Sequence, residues 1–225
     1  MEVNLSADNF KNTIRLGCIS GLISGLQFIL LTFVAMFFYP GGYDFFGYFI
    51  SDLGRVIAIN GEPNGISFIL FNLAMLMGAL TQIPFWLIMR GLFIESTIEK
   101  VLATLGTILG LISTFLLIGI DLFPVDTQTE AHVIFARFFY VFFPAAILIY
   151  SIAMVFNQDY SNYFALIGFV VSFSFALFLW IIEPRGLSPV QQKITVYSAI
   201  IWMIIQAVYM WFFVGSRRSE SKSNY

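Results

Sequence analysis

The chain has 225 residues, of which 59% are hydrophobic and only 11% are charged, and its mean hydropathy is +0.88. Soluble globular domains carry about 25% charged residues, so the composition excludes that class and indicates a polytopic membrane protein. The 11 basic and 13 acidic residues give a net charge of -2, which leaves no basic field to hold the phosphates of a nucleic acid.

Six stretches of the chain are long and apolar enough to cross a bilayer, which takes about 20 mostly apolar residues. They are residues 17–38, 66–89, 101–120, 133–156, 163–182 and 194–214. Turn-forming or charged sequences such as YPGG and EPRGLSP separate them. The sequence therefore predicts an all-α protein, with one bundle of six transmembrane helices over residues 1–214 and a polar cytoplasmic tail at 215–225.

The first predicted span contains Gly17, Gly21 and Gly25 at intervals of four residues. Small residues at this spacing let two helices approach closely in lipid. We interpret them as a packing site for another helix of the same chain, with a homodimer contact as the alternative. After this span, DFFGYFISDLGRV is too short and too interrupted by glycine to cross the bilayer. It predicts an interfacial or re-entrant segment that places Asp52 and Arg55 at the membrane surface.

The connection GIDLFPVDTQTEAH, residues 119–132, joins the third and fourth spans and contains the only histidine of the chain. Pro124 predicts that the third helix ends before it. Thr127 and Glu130 have the spacing of a capping box, and Asp126 is a second candidate cap, so these three residues predict the start of the fourth helix. Asp121 and His132 flank the turn, which predicts that they return to the same depth.

Basic residues predict the orientation of the bundle through the positive-inside rule. With a cytoplasmic N-terminus, seven basic residues lie inside and four lie outside. The inner ones are Lys11, Arg15, Arg90, Lys100, Arg217, Arg218 and Lys222, and the outer ones are Arg55, Arg137, Arg185 and Lys193. The sequence therefore predicts a multi-pass protein of the cell membrane with both termini in the cytoplasm.

Three outer connections then bring polar groups to one end of the bundle, where ionisable side chains must be paired or hydrated. The candidate ligand-binding residues are Asp52, Arg55, Asp121, Asp126, His132, Glu183, Arg185 and Lys193. For catalysis the candidates are Asp121, Asp126 and His132, and Asp52 joins them as a candidate metal ligand. Hard oxygen ligands of this kind suit a divalent cation such as magnesium, calcium or manganese.

Several of these motifs resemble the six-helix bacterial and archaeal membrane family called domain of unknown function 998. The residues concerned are SDLG at 51–54, an Asn-Gly turn at 60–61 or 64–65, and Gly119, Phe123, Pro124, Asp126 and His132. The resemblance implies a six-helix bundle with the polar motifs grouped on one face. It implies no activity.

Three functions are consistent with this pattern. The preferred one is a non-enzymatic membrane protein whose outer polar face binds a lipid headgroup, a small solute or a partner protein. An alternative is a metal-assisted hydrolase or transferase acting on lipid headgroups, although a single histidine is a weak supply of zinc ligands. A small-solute transporter is the second alternative, and neither central charges nor visible inverted repeats favour it.

Overall fold

The computed structural model describes the backbone of residues 2–182 and 188–223, and the side chains of residues 12–180 and 188–212. Its α-helices are α1 (Glu2–Phe37), α2 (Gly65–Met89), α3 (Thr97–Leu122), α4 (Thr129–Phe156), α5 (Asn162–Leu177) and α6 (Pro189–Ser223). In this part of the chain, six helices are long and apolar enough to cross a membrane. The prediction of an all-α, six-helix membrane protein is therefore confirmed.

All six helices begin before the apolar runs that predicted them, by one residue in α2 and α5, by four or five in α3, α4 and α6, and by 15 in α1. The apolar part of α3, for example, was predicted from residue 101, whereas the helix begins at Thr97. Ser96 caps it, because its hydroxyl oxygen accepts a hydrogen bond from the backbone amide of Glu99 at 3.2 Å. At the other end α3 stops at Leu122, two residues before Pro124. The last helix continues to Ser223, through most of the segment predicted as a polar tail.

The glycines of α1 lie at contacts with other helices of the same chain. In the bundle, α1 packs against α2 and α6, and α3 packs against α2 and α4. A Cβ atom on Gly21 would lie 2.6 Å from the Phe85 ring of α2. Gly17 faces Ile88 of α2 and Gly25 faces Ile204 of α6. These three residues therefore serve the close packing of α1 within the bundle.

Residues 38–64 form the longest connection and pack onto one end of the bundle. A 3-10 turn, Ile50–Gly54, lies at its centre, and Ile50, Leu53 and Ala58 are buried. Asn64 holds the returning chain, because its side-chain amide donates to the carbonyls of Leu53 and Arg55, both at 2.9 Å. We call this end of the bundle, with residues 38–64, the 123–128 connection and the start of α6, the polar end.

Candidate functional site

Two adjoining cavities open into the polar end of the bundle. The first, which we call the mouth cavity, has a volume of about 450 Å³ and lies between the 3-10 turn, α4, residues 178–179 just after α5 and the start of α6. Its polar lining residues are Ser51, Asp52, Arg55, Thr129, His132, Arg137 and Gln192. Three of the residues predicted from sequence therefore line one cavity, namely Asp52, Arg55 and His132.

The SDLG sequence positions the acidic group of the mouth cavity. Because these residues form a 3-10 turn, the Asp52 side chain turns back over its own backbone and is only 7% exposed. One carboxylate oxygen accepts from the Phe49 amide at 2.7 Å, and the other lies 3.4 Å from Nη1 of Arg55. Arg55 also donates from Nε to the Ile57 carbonyl at 3.1 Å. Both side chains of the ion pair are thus held in place by hydrogen bonds to the backbone.

His132 lies in the first turn of α4 and lines both cavities. Its Nδ1 atom is 2.8 Å from the carbonyl oxygen of Phe123, and the side chain is 7% exposed. Because a carbonyl oxygen only accepts hydrogen bonds, Nδ1 carries the proton, which makes Nε2 the basic nitrogen of the neutral ring. The turn after α3 therefore fixes both the position and the tautomer of this histidine.

Asp126 does not cap α4, so that part of the sequence interpretation was wrong. The helix begins at Thr129 without a side-chain cap. The two carboxylate oxygens of Asp126 instead accept hydrogen bonds from the backbone amides of Val56 at 3.1 Å and Ile57 at 2.9 Å. A carboxylate that accepts from two adjacent backbone amides holds them in a defined position, here at a partly exposed site. Asp126 therefore joins the turn that carries His132 to the segment that carries Arg55.

Lys193 was predicted as a ligand-binding residue or counter-charge, and it lines neither of the two cavities. It is 2% exposed, and its ammonium group donates to the carbonyls of Tyr48 and Pro189. The same group lies 5.3 Å from the centre of the Tyr43 ring and 5.1 Å from that of Phe45. These cation-π contacts fasten residues 43–48 to α6.

Two tyrosines hold the same segment by hydrogen bonds. The Tyr43 hydroxyl donates to the carbonyl of Phe49 at 2.8 Å, and the Tyr39 hydroxyl accepts from the Ile59 amide at 3.1 Å. Burial raises the pKa of both Tyr39 and Tyr43. Both hydroxyls are therefore protonated at neutral pH, which keeps this hydrogen-bonded support of the mouth cavity uncharged.

The remaining predicted site residues are Asp121, Glu183 and Arg185. Asp121 lies in the last turn of α3 and lines neither of the two cavities, and its buried Oδ1 has no hydrogen-bond partner among the described residues. Glu183 and Arg185 lie outside the described residues. Within the part of the chain that the structure describes, no three His, Cys, Asp or Glu side chains come together in a group that could hold a metal ion.

The second cavity, which we call the inner cavity, has a volume of about 80 Å³ and extends into the bundle. It shares five lining residues with the mouth cavity, which are Ser51, His132, Ala136, Tyr140 and Gln192. Aliphatic and aromatic side chains form most of its wall, and Gln82 is a polar exception. Sequence reasoning missed Gln82, although a glutamine inside the apolar run LMGALTQIPFW was a usable signal.

The geometry thus combines a charged cavity at the end of the bundle with an apolar cavity among the helices. Arg137 and Gln192 were not among the site residues predicted from the sequence, although both line the mouth cavity. Comparison of the chain with protein-family models, with curated proteins and with solved structures finds no match, so the resemblance to the family called domain of unknown function 998 stays a prediction.

Proposed function

We propose that this protein binds a lipid with an anionic headgroup, holding the headgroup in the mouth cavity and part of the hydrocarbon in the inner cavity. The observation that carries the proposal is the junction of the two cavities at His132, Tyr140 and Gln192. Ligand sites are usually apolar concavities with a few convergent polar groups. A lipid has the same division into a polar and an apolar part.

The charge of the mouth cavity supports an anionic headgroup. Its described lining contains two guanidinium groups, Arg55 and Arg137, and one carboxylate, Asp52. Arginine binds phosphate through two parallel N–H donors, and the ion pair with Asp52 keeps Arg55 in place at 3.4 Å. Arg137 lies on α4 about 12 Å beyond Thr129, given a rise of 1.5 Å per residue. Its long side chain is suited to reach the headgroup region.

The polar end faces away from the cytoplasm in this proposal, which follows the distribution of basic residues along the chain. The topology predicted from the sequence has seven basic residues on the opposite side and four on the side of the polar end, Arg185 among these four lying outside the described residues. An excess of lysine and arginine favours the cytoplasmic side. The headgroup would then come from the outer leaflet.

Lipid binding is better supported than metal-assisted hydrolysis or group transfer. Catalytic zinc needs about three protein ligands and an open position, and the described residues contain no such group of His, Cys, Asp and Glu side chains. Asp126 is occupied by the backbone amides of Val56 and Ile57, and Asp121 lines neither cavity. The fixed Arg55 is instead suited to hold a charged group, and the unprotonated Nε2 of His132 is suited to accept from a headgroup hydroxyl.

The test is binding of monoacyl phosphatidylglycerol to the full-length protein in detergent, measured by native mass spectrometry. We expect Arg55→Gln to weaken binding by roughly tenfold or more, since hydrogen bonds to charged groups contribute about 1.5–3 kcal/mol. Arg90→Gln is the matched control, because Arg90 lies at the other end of the bundle and bonds to Thr104 at 3.0 Å. Equal loss in both variants, or no binding to the wild type, would contradict the proposal.

A further inference from the structure

The inner cavity contains a buried amide that no neighbouring side chain or backbone group satisfies. Gln82 on α2 lines this cavity and is 6% exposed. Its Oε1 atom is buried and has no hydrogen-bond partner among the described residues. An unpaired polar group inside a protein costs free energy, and in a bilayer no bulk water is present to compensate. Gln82 is therefore a polar group without an explanation in the fold.

Gln27 and Gln206 differ from Gln82 because each has a partner at one end of its amide, although Gln27 Oε1 and Gln206 Nε2 are themselves buried without a partner among the described residues. Gln27 donates to the carbonyls of Ser24 and Ala74, and Gln206 accepts from the Tyr160 hydroxyl at 2.7 Å. Ser24, which also lines the inner cavity, donates to the Gly78 carbonyl at 3.0 Å. Its proton is thus not available to Gln82.

The position of Gln82 determines what kind of group could reach it. It lies about 26 Å along α2 from Gly65, given a rise of 1.5 Å per residue, whereas His132 lies in the first turn of α4. A headgroup in the mouth cavity is therefore far from Gln82. Aspartate, glutamate, lysine and arginine are absent from the described lining of the inner cavity, which favours a neutral partner, because an amide both donates and accepts.

We propose that Gln82 forms a second polar subsite, which binds a neutral oxygen carried on the hydrocarbon chain of the bound lipid. The inference rests on the proposed function, because the headgroup must occupy the mouth cavity for the chain to extend towards Gln82. A hydroxyl group supplies this oxygen, because its proton can pair with Oε1, whereas a keto oxygen only accepts and would leave Oε1 unpaired. The subsite makes the protein selective for hydroxylated chains over plain ones.

The test compares three monoacyl phosphatidylglycerols of equal chain length, with a plain chain, a mid-chain hydroxyl or a mid-chain keto group. Binding to the full-length protein is measured by native mass spectrometry. We expect the wild type to prefer the hydroxylated chain over the plain chain by about threefold to tenfold, the range of one neutral hydrogen bond. Gln82→Leu should remove this preference, measured as the ratio of hydroxylated-chain to plain-chain binding within each variant. Gln82→Met serves as a second variant in case the branched side chain disturbs packing.

Gln27→Leu is the matched control, since Gln27 is a glutamine of α1 that does not line the inner cavity, and it should keep the preference. Equal binding of all three lipids by the wild type would overturn the subsite while leaving headgroup binding intact. The subsite would also be overturned if the folded Gln82 variants kept the preference for the hydroxylated chain. Greater thermal stability of those variants without any change in lipid selectivity would overturn it as well. Failure of every lipid to bind the wild type overturns the proposed function, and the subsite with it.

Discussion

The carboxylate of Asp126 accepts a hydrogen bond from the backbone amide of Ile57 at 2.9 Å, across 69 positions of sequence. The neighbouring Val56 amide donates to its other oxygen. This contact holds the turn between α3 and α4 against the segment between α1 and α2. As a result, His132 from the turn and the Asp52–Arg55 pair from the segment line the same cavity.

Asp126→Ala should lower the free energy of unfolding by about 0.5–1.5 kcal/mol, because the Val56 and Ile57 amides are partly exposed and water can replace the lost acceptor. Faster hydrogen exchange at Val56 and Ile57 would locate the effect. Glu130→Ala is the control, since Glu130 is exposed in the first turn of α4. Substitutions of exposed residues usually change the free energy of unfolding by less than about 0.5 kcal/mol. Unchanged exchange at both amides in Asp126→Ala would disprove this role of Asp126.

His132→Asn should separate the two roles of the ring. Its shorter amide can still donate to the Phe123 carbonyl, which Nδ1 approaches at 2.8 Å, but it lacks a second nitrogen at the place of Nε2. The unprotonated Nε2 can accept from a hydroxyl of the glycerol headgroup but cannot donate to the phosphate. We therefore expect near-native thermal stability with roughly threefold to tenfold weaker binding of monoacyl phosphatidylglycerol, the loss typical of one neutral hydrogen bond. His132→Ala should lose both binding and stability. Native-like binding by both variants would contradict a ligand contact by His132.

The orientation can be tested by single-cysteine labelling. Cys18 is the only cysteine of the chain and is buried, so Cys18→Ala provides the background. Thr127 is exposed in the turn between α3 and α4, and a cysteine there should react in intact cells with a membrane-impermeant maleimide. Lys100→Cys, at the opposite end of the bundle, should react only after permeabilisation. The reverse pattern would show that the polar end faces the cytoplasm.

Tyr160→Phe should destabilise the end of the bundle opposite to the cavities. The Tyr160 hydroxyl donates to Oε1 of Gln206, whose Nε2 is buried without a partner among the described residues. Removing the hydroxyl leaves the whole amide unpaired, which costs about 1–3 kcal/mol. Thermal unfolding of the two proteins in the same detergent measures the difference, and equal stability would show that the hydrogen bond contributes nothing.

The same variant has a predictable pH dependence. Burial raises the pKa of the Tyr160 hydroxyl well above its ordinary value, so the folded state binds this proton more tightly than the unfolded state. The contribution of Tyr160 to stability is complete below the unfolded pKa of about 10 and is lost as the pH rises through the folded pKa. The stability difference between wild type and Tyr160→Phe should therefore shrink above about pH 10. A constant difference would contradict this assignment.

Gly21→Val should disturb the packing of α1 on α2. A Cβ at Gly21 would lie 2.6 Å from the Phe85 ring, which is itself fully buried. Overpacking of this kind costs about 1–3 kcal/mol. Gly65→Ala is the control, because a Cβ there meets no atom within 4 Å and alanine reduces the entropy of the unfolded chain. Equal thermal stability of Gly21→Val and the wild type would show that α1 can shift away from α2 and accommodate the valine side chain without loss of stability.

The sequence by itself determined the class of protein and the number of membrane-spanning helices. Apolar length is a local property, so each run of about 20 apolar residues predicts a helix whatever its neighbours are. The end of α3 at Leu122 was likewise predictable, because proline disfavours helix in the residue before it. Helix starts were less accurate, since caps such as Ser96 extend α3 into polar sequence.

Only the tertiary structure decided which polar residues meet. Asp52, Arg55 and His132 line one cavity, whereas Lys193 turns towards the rings of Tyr43 and Phe45. The sequence predicts that all four residues lie at the same end of the bundle, because the position of a residue along a helix gives its depth in the membrane. Which neighbours each side chain contacts is not predicted, since that depends on how the helices pack against one another. The Asp126 carboxylate likewise accepts from the backbone amides of Val56 and Ile57, which lie 70 and 69 positions away in the sequence.

Gln82 is a second residue for which the sequence predicts the depth but not the neighbours. Its place inside an apolar span is visible in the sequence, whereas its contact with a cavity that begins at His132 is not. That contact requires α2 and α4 to enclose the same space, and the packing of side chains between helices determines it. Local hydrophobicity therefore determined which segments cross the membrane, and long-range packing decided which of their polar groups share a cavity.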